Sequence, residues 1–505
     1  MEHVNPQPSP PNPPHADSTQ RTVLVLIATT ALTRLLLAST LGLGVDESYA
    51  VSVSRPFSLG YFDHPPLHFW LAGAAQWLAG SPPASPWSGL AVRLPFILLF
   101  AATTWLTYLI TKRLFGDRPA LWATIALNLS AVFTLSTGSW VLPDGPLMCF
   151  SLAAVYCVIR ALDANSTRWW LAAGATAGLA LLSKYHAALL APGVFLYLAT
   201  TPAYRRQLTR PGPYLAVAIA SLLFVPDLIW NAHHGWVSFL FQAGRGAPQT
   251  TFALKALAQN VAGQIGYVLP WVWIPLILAL ASTLRTGPRD PSAWLLACLA
   301  IWPIGLFTLV SLGGNPGLPH WPALGYLMCM PLLGRWAAAR NLRVWALASS
   351  SVLVILVLVV VIQALTGILP LGPAADPTLD LVDWRDLRHA PIPQGGFVAA
   401  PSWVQAGKVS YALGPNVPVI CLSAAPHQFL YQRDPATVIG HDALLVIRPP
   451  RHGDAQIDRY RPYFASIESL GPLAITRAAT GRPALTVDLF LARDFRQPFP
   501  TPQPR

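Results

Sequence analysis

Charge is scarce in this chain of 505 residues. Asp, Glu, Lys and Arg together make up 11% of it, where a soluble domain carries roughly 25%. With 53% apolar residues and a mean hydropathy of +0.47, that deficit excludes a string of soluble domains. Cysteine is also sparse: Cys149, Cys157, Cys298, Cys329 and Cys421 are all there are. Four lie in apolar segments without metal-ligand spacing and read as small core residues. Only Cys421 falls in a polar region, so no disulfide partner is at hand there. Neither a P-loop nor a dinucleotide-type glycine fingerprint is present to cradle a soluble nucleotide. No convincing internal repeat is present, which weighs against an inverted-repeat transporter. The apolar run after Arg21 is too long, and lacks the small-residue cleavage site, for a signal peptide.

What the sequence has instead is apolar runs of membrane-spanning length. Thr22–Leu43 is interrupted by one charge, Arg34, and Val344–Leu369 by none. A bilayer-crossing helix needs about 20 mostly apolar residues. The pattern predicts a polytopic α-helical membrane protein with eleven spans, at roughly 22–43, 88–110, 119–137, 145–160, 169–183, 185–201, 212–230, 258–283, 291–312, 320–334 and 344–369. Residues 1–20, with six prolines between Pro6 and Pro14, read as a disordered cytoplasmic leader. Residues 370–505 mix polar and apolar residues, with β-rich runs at 396–400, 417–422, 443–447 and 485–491. They predict a small C-terminal α/β domain beyond the last span.

The net charge of +12 could signal nucleic-acid binding, but the loops account for it. With the N-terminus inside, inward loops carry Lys112, Arg113, Arg118, Arg160, Arg168, Arg205, Arg206, Arg210, Arg285, Arg289, Arg335, Arg340 and Arg343. Outward loops carry Arg55, Arg93, Lys184, Arg245 and Lys255. Thirteen against five follows the positive-inside rule. Counting the apolar stretch 64–80 as a twelfth span would invert every later loop, so it reads as an interfacial helix on the outer surface. Spans five and six meet at Ser183-Lys184-Tyr185, a polar break that must be buried in protein or face a water-filled cavity.

The few outward charges are the informative ones, because charge at membrane depth is expensive. They are Asp46-Glu47 after span one, Asp63-His64 before Pro65-Pro66, Asp144 after Pro143, and Lys184 at the break. Each has a plain alternative. Asp46 and Glu47 can be interfacial charges, Asp63 and Asp144 helix caps, and Lys184 a snorkelling residue. Their convergence on one face favours a site. Arg34 reads as a buried structural or snorkelling residue, and His233-His234 as an interfacial loop. Carboxylates with cations at an outer membrane surface suit a lipid-linked phosphate ester. A carboxylate can take the proton of an attacking group, and cations stabilise a departing phosphate.

The ordered motifs resemble a known family. Val45-Asp46-Glu47-Ser48-Tyr49 resembles the acidic first-loop motif of C-type (GT-C) glycosyltransferases. Tyr61-Phe62-Asp63-His64-Pro65-Pro66-Leu67 is similar to the bacterial branch of the dolichyl-phosphate-mannose protein mannosyltransferase family (glycosyltransferase family 39). That branch includes the aminoarabinose transferase of lipid A and galacturonic acid transferases of lipopolysaccharide. Arg93-Leu94-Pro95, Pro143-Asp144, Leu182-Ser183-Lys184-Tyr185, Trp230-Asn231, His234-Gly235-Trp236 and Pro319-His320-Trp321-Pro322-Ala323 follow in the family's order. The resemblance covers residues 22–335.

The resemblance implies a bacterial inner-membrane enzyme whose site and C-terminal domain face the periplasm. It implies an inverting transfer of a sugar from a polyprenyl-phosphate carrier to a lipid or lipopolysaccharide acceptor, with other glycans or proteins as alternative acceptors. Asp46, Asp63 and Asp144 would be the catalytic acids, and Lys184, His64, Arg55, Arg93 and Arg245 the donor-phosphate contacts. Glu47, Tyr61 and His320 would line the substrate pocket. No cofactor is required, although a divalent metal stays open, and nucleic acid is no partner. His64 departs from the aminoarabinose transferases, which carry Lys there. Protein O-mannosylation and a polyprenyl-lipid flippase are the rival activities.

Overall fold

The computed structural model describes residues 15–247, 252–340, 342–449 and 456–500. The proline-rich part of the expected leader, residues 1–14, lies outside them. Residues 15–20, assigned to the same leader, instead form the first turns of a helix, α1 (His15–Thr40). No proline after Pro14 stops backbone bonding there.

The helices follow as α2 (Val45–Val53), α3 (Leu67–Leu78), α4 (Pro86–Phe115), α5 (Asp117–Leu129), α6 (Asp144–Ala164), α7 (Thr167–Ser183) and α8 (Leu190–Thr200). After them come α9 (Pro211–His233), α10 (Val237–Arg245), α11 (Leu254–Val268), α12 (Pro270–Thr286), α13 (Pro291–Leu309), α14 (Ala323–Ala338) and α15 (Arg343–Thr366). Local chemistry sets the ends. At α4, Ser85 and Ser88 cap each other, Pro86 occupies the first turn, and Gly116 stops the helix at φ 91°. At α13, Asp290 accepts the Ala293 N–H at 3.2 Å.

The protein is a multi-pass helical membrane protein. Among the described residues, α1, α4, α6, α9, α13 and α15 are long and apolar enough to cross a bilayer. All eleven segments expected to span are helical, but length supports six spans, or seven if α11 and α12 count as one. The single span expected at 258–283 is a correction: α11 and α12 meet at an angle of 108°. Leu269 sits there at φ 78° and Pro270 has no N–H to continue the ladder. Hydropathy runs unbroken across that corner. The 12 residues of α3 span about 18 Å, too short for a hydrocarbon core of about 30 Å, so the stretch 64–80 adds no span.

The C-terminal region forms one five-stranded sheet of order β2-β1-β3-β5-β4. Its strands are β1 (Phe397–Ala400), β2 (Val419–Cys421), β3 (Ala443–Ile447), β4 (Phe464–Thr476) and β5 (Pro483–Phe495). The central strands β1 and β3 are buried along their whole length, as strands covered on both faces must be. β4 was not among the expected β-rich runs, and the turn-forming pair Gly471-Pro472 lies within it. It pairs only with β5, and an edge strand tolerates proline. Between β1 and β2 runs α16 (Trp403–Leu413), and α17 (Phe429–Gln432) follows β2.

This region does not stand apart from the bundle. Tyr49, Val53, Phe69 and Phe96 share one buried cluster with Ala406, Val409, Tyr411, Leu444 and Val487. Arg477 donates to the carbonyls of Gln363 and Ala364 at the end of α15 and pairs with Asp376 at 2.7 Å. The sheet is thereby fixed over the end of the bundle where α1, α7 and α9 finish and α4, α6 and α14 begin.

Candidate active site

The site begins at the N-terminus of α2. Glu47 accepts the Gly44 N–H at 2.8 Å and holds the first turn. Asp46 and Glu47 then project in different directions, because neighbouring helical residues lie about 100° apart. Glu47 turns inward to Arg93, with Arg93 Nε donating to Oε1 at 2.8 Å and Nη2 to Oε2 at 2.6 Å. Val141 N–H adds a bond to Oε1 at 3.1 Å. Arg93 also donates to the Leu41 and Gly42 carbonyls, each at 2.8 Å.

This buried node corrects two expectations. Neither Glu47 as a pocket residue nor Arg93 as a phosphate contact has a free charged atom to offer. Burial pushes the Glu47 carboxyl up, but Arg93 and the N–H groups of Gly44 and Val141 hold it below its ordinary value of 4.5. Its contribution to stability is therefore present above that value and is lost as pH falls through the folded-state pKa. Arg93→Ala is expected to destabilise the fold by about 3–5 kcal/mol, read as a lower unfolding midpoint of the detergent-solubilised protein. An unchanged midpoint would show that the node is not structural.

Arg55 and Tyr61 are likewise engaged elsewhere. Arg55 Nη1 donates to the Ser410 carbonyl at 3.0 Å and hydroxyl at 2.9 Å, fastening the segment after α2 to α16. Tyr61 is buried and stacks on Phe69, ring centres 4.1 Å apart. The other seven expected residues meet in one cavity of about 270 Å³: Asp46, Asp63, Asp144, Lys184, His64, Arg245 and His320.

Each arrives from a different element. Asp46, from the first turn of α2, is exposed to the cavity. Among the described residues no hydrogen bond or ion pair engages its carboxylate. Surrounding protein raises its pKa through lost hydration, reinforced by Asp63 and Glu47 and opposed by Arg245. Asp63 is held at both oxygens. Tyr49 OH donates to Oδ2, and His427 Nδ1 lies 2.5 Å from Oδ1. Its carbonyl accepts from Gln242.

Asp144 opens α6 and meets Lys184 Nζ at 2.9 and 3.0 Å through its two oxygens. Lys184 sits in extended backbone after α7, before a short 3₁₀ turn at Tyr185–Leu189. The polar break is thus buried in protein and faces the cavity. Arg245, at the end of α10, lies over the rings of Phe241 and Trp321 at 5.7 and 5.5 Å. Burial lowers its pKa while Asp63, Asp46 and Asp144 raise it, so the carboxylates face this guanidinium.

Burial, then the Lys184 charge, drives His64 well below its ordinary value. Burial likewise lowers His68 to about 3. His64 lines the cavity with its Nδ1 3.4 Å from the Gln242 amide nitrogen.

Sequence reasoning gave no site role to Tyr49, His68, His186, Gln242, Trp321, Trp403 and His427, all cavity-lining, although Tyr49 and Trp321 stand in the quoted motifs. Tyr49 stands three residues after Asp46 within α2, so helical spacing could have flagged it. His427 and Trp403 come from the C-terminal region, where no motif marks them. His234 stacks on Trp230 at 4.1 Å and its Nδ1 meets that residue's carbonyl at 2.7 Å, a local cap consistent with an interfacial loop. Arg34 is buried over Phe100 at 4.3 Å. Among the described residues no three His, Cys, Asp or Glu side chains group as metal ligands.

Comparison with known proteins bears out the family resemblance over part of the chain. Residues 63–230 match the family model described as dolichyl-phosphate-mannose-protein mannosyltransferase. The chain is 24% identical, over 297 residues, to undecaprenyl phosphate-alpha-4-amino-4-deoxy-L-arabinose arabinosyl transferase 2 of Proteus mirabilis, covering 55% of this chain and 50% of that protein. It is 26% identical over 266 residues to lipid A galacturonosyltransferase RgtD of Rhizobium johnstonii, covering 52% and 54%. The matched part thus spans about half the length of these curated relatives. In fold, the chain is similar to ArnT from Cupriavidus metallidurans in its apo state, with TM-score 0.63 and 15% identity over 94% of this chain and 98% of that one. The form of that protein bound to undecaprenyl phosphate gives TM-score 0.61 at 15% identity, over 92% and 97%. This likeness fixes a GT-C architecture across nearly the whole chain.

Proposed function

We propose that this chain, with a GT-C fold and a mannosyltransferase-family segment, is an inverting glycosyltransferase. It moves one sugar from a polyprenyl-phosphate carrier to a lipid or lipopolysaccharide acceptor. The observation that carries this reading is a single cavity holding an unengaged carboxylate, Asp46, together with the cations Lys184 and Arg245. Asp46 takes the proton of the acceptor group. The acceptor oxygen forms a bond to the anomeric carbon as the bond from that carbon to the carrier phosphate breaks. The phosphate leaves with its growing charge beside Lys184 and Arg245. Asp63 orients acceptor or sugar, and Asp144 holds Lys184 in place. These two cations supply the electrostatic role a metal would fill, so the reading needs no bound metal or cofactor.

The cavity sits at the end of the bundle opposite Lys112, Arg113, Arg160, Arg205 and Arg206. By the positive-inside rule this supports our reading that the cavity and the C-terminal domain face the periplasm from a bacterial inner membrane. The relatives named for undecaprenyl phosphate-linked aminoarabinose support a polyprenyl-phosphate donor, and those named for lipid A and lipopolysaccharide core support a lipid or lipopolysaccharide acceptor.

The test is mass spectrometry of envelope lipids and glycans from cells with and without the chain. A lipid A or core species heavier by one sugar residue, present only with the chain, is expected. The same increment on periplasmic proteins would mean protein glycosylation, and no new adduct on any acceptor would overturn the reading.

A further inference from the structure

The C-terminal domain reaches the cavity through Trp403 and His427, and two consecutive residues, His427 and Gln428, grip the loop that carries Asp63. His427 Nδ1 lies 2.5 Å from Asp63 Oδ1. Gln428 N–H donates to Tyr49 OH at 2.9 Å, and that hydroxyl donates to Asp63 Oδ2. Gln428 Oε1 accepts the Phe62 N–H at 2.8 Å. Every side-chain bond to the Asp63 carboxylate among the described residues thus comes from His427 or from a tyrosine held by Gln428.

The imidazole has little freedom. It stacks on Trp403 with centres 4.8 Å apart. Phe62 and Phe241 close on it at 5.1 and 5.3 Å. Its backbone sits at φ 54°, a conformation that L side chains rarely adopt and that is kept where surrounding contacts dictate it. With an acceptor at Nδ1, that nitrogen carries the proton.

We infer that His427 is a positioning residue for Asp63: its Nδ1–H fixes the carboxylate in the cavity, so that the site is incomplete without the C-terminal domain. This rests on the glycosyl-transfer reading above. It differs from a role as proton acceptor, which would use Nε2. The two nitrogens can be separated by substitution. An Asn amide NH₂ falls near the place of Nδ1 and can donate to Asp63, whereas Gln reaches toward the place of Nε2.

The experiment expresses the full chain as wild type, His427→Ala, His427→Asn and His427→Gln, and measures the fraction of lipid A or core carrying the added sugar per unit of membrane-inserted protein. Binding of undecaprenyl phosphate to each purified variant, followed by the shift it causes in thermal unfolding, serves as the check on folding. His427→Ala and His427→Gln are expected to lose at least tenfold in transfer with carrier binding kept. His427→Asn is expected to recover to within about threefold of wild type. In an Asp63→Asn background, His427→Ala is expected to add no further loss. Wild-type transfer in His427→Ala would overturn the inference, as would His427→Asn being as poor as Ala. A variant that no longer binds the carrier would show a structural role instead and also overturn it. Absence of any added sugar with the wild-type chain would fail the parent reading, a separate result.

Discussion

Asp46→Asn is expected to lower sugar transfer by about a hundred- to ten-thousand-fold, the usual share of a general base. Asn keeps the shape and removes the ability to accept a proton. Folding should survive, since no hydrogen bond or ion pair engages this carboxylate among the described residues. Lost hydration and the Asp63 and Glu47 carboxylates raise its pKa, so its charge costs more in the folded protein than in the unfolded chain. The Asn variant should therefore be at least as stable as wild type. The pH dependence has a definite sign. A base works when deprotonated, so wild-type transfer should fall as pH drops through a value above the ordinary 3.8 of an aspartate. The residual activity of Asp46→Asn should lack that limb. Measured rates of sugar addition in membranes across a pH series decide it. Near-wild-type transfer in a well-folded Asp46→Asn protein would remove Asp46 from the mechanism.

The chemistry of the cavity was legible because charge is so rare in this chain. Asp46, Asp144 and Lys184 stand at span ends and Asp63 in the first outer loop, all in an apolar background, and the fold brings all four to one cavity. What sequence spacing could not do was assign faces. Asp46 and Glu47 are adjacent in the same motif, yet one opens to the cavity and the other is buried against Arg93. The turn of α2, packed on α16 and α3, aims Glu47 at Arg93 of α4 and leaves Asp46 to the cavity. Arg55 looked like a free outward cation until α16, more than 350 residues later, supplied Ser410. His427 shows the same limit, because its link to Asp63 exists only once the sheet docks over the bundle.

The fold was legible where a physical signal is local. Apolar runs marked the helical segments, and the β-rich runs marked four of the five strands. The exceptions have local causes of the opposite kind. At Leu269-Pro270 the backbone turns a corner that hydropathy does not register. At Gly471-Pro472 turn-forming residues sit within an edge strand, where a missing N–H disturbs no central ladder.

Lys184→Ala is expected to cost transfer about a hundred- to a thousandfold, the usual effect of removing one preorganised donor from a developing negative charge. The single variant alone is ambiguous. It leaves Asp144 buried without its partner, which destabilises a protein by about 3–5 kcal/mol, and a poorly folded enzyme is also inactive. The double variant Lys184→Ala with Asp144→Asn removes both charges. It should recover most of the lost unfolding temperature, because no uncompensated charge remains, yet stay as inactive as Lys184→Ala. Asp144→Asn by itself leaves the ammonium in the cavity with a weaker anchor, so its loss in transfer should be the smaller of the two single losses. The Asp144 change should add little once Lys184 is gone, as expected for residues that act through one another. If the double variant regained transfer together with its stability, the pair would be a structural ion pair and the leaving phosphate would depend on Arg245. If transfer stays low in a protein that melts like wild type, the missing quantity is positive charge at the leaving group. That outcome separates the catalytic use of Lys184 from the snorkelling role that its position in the sequence also allowed.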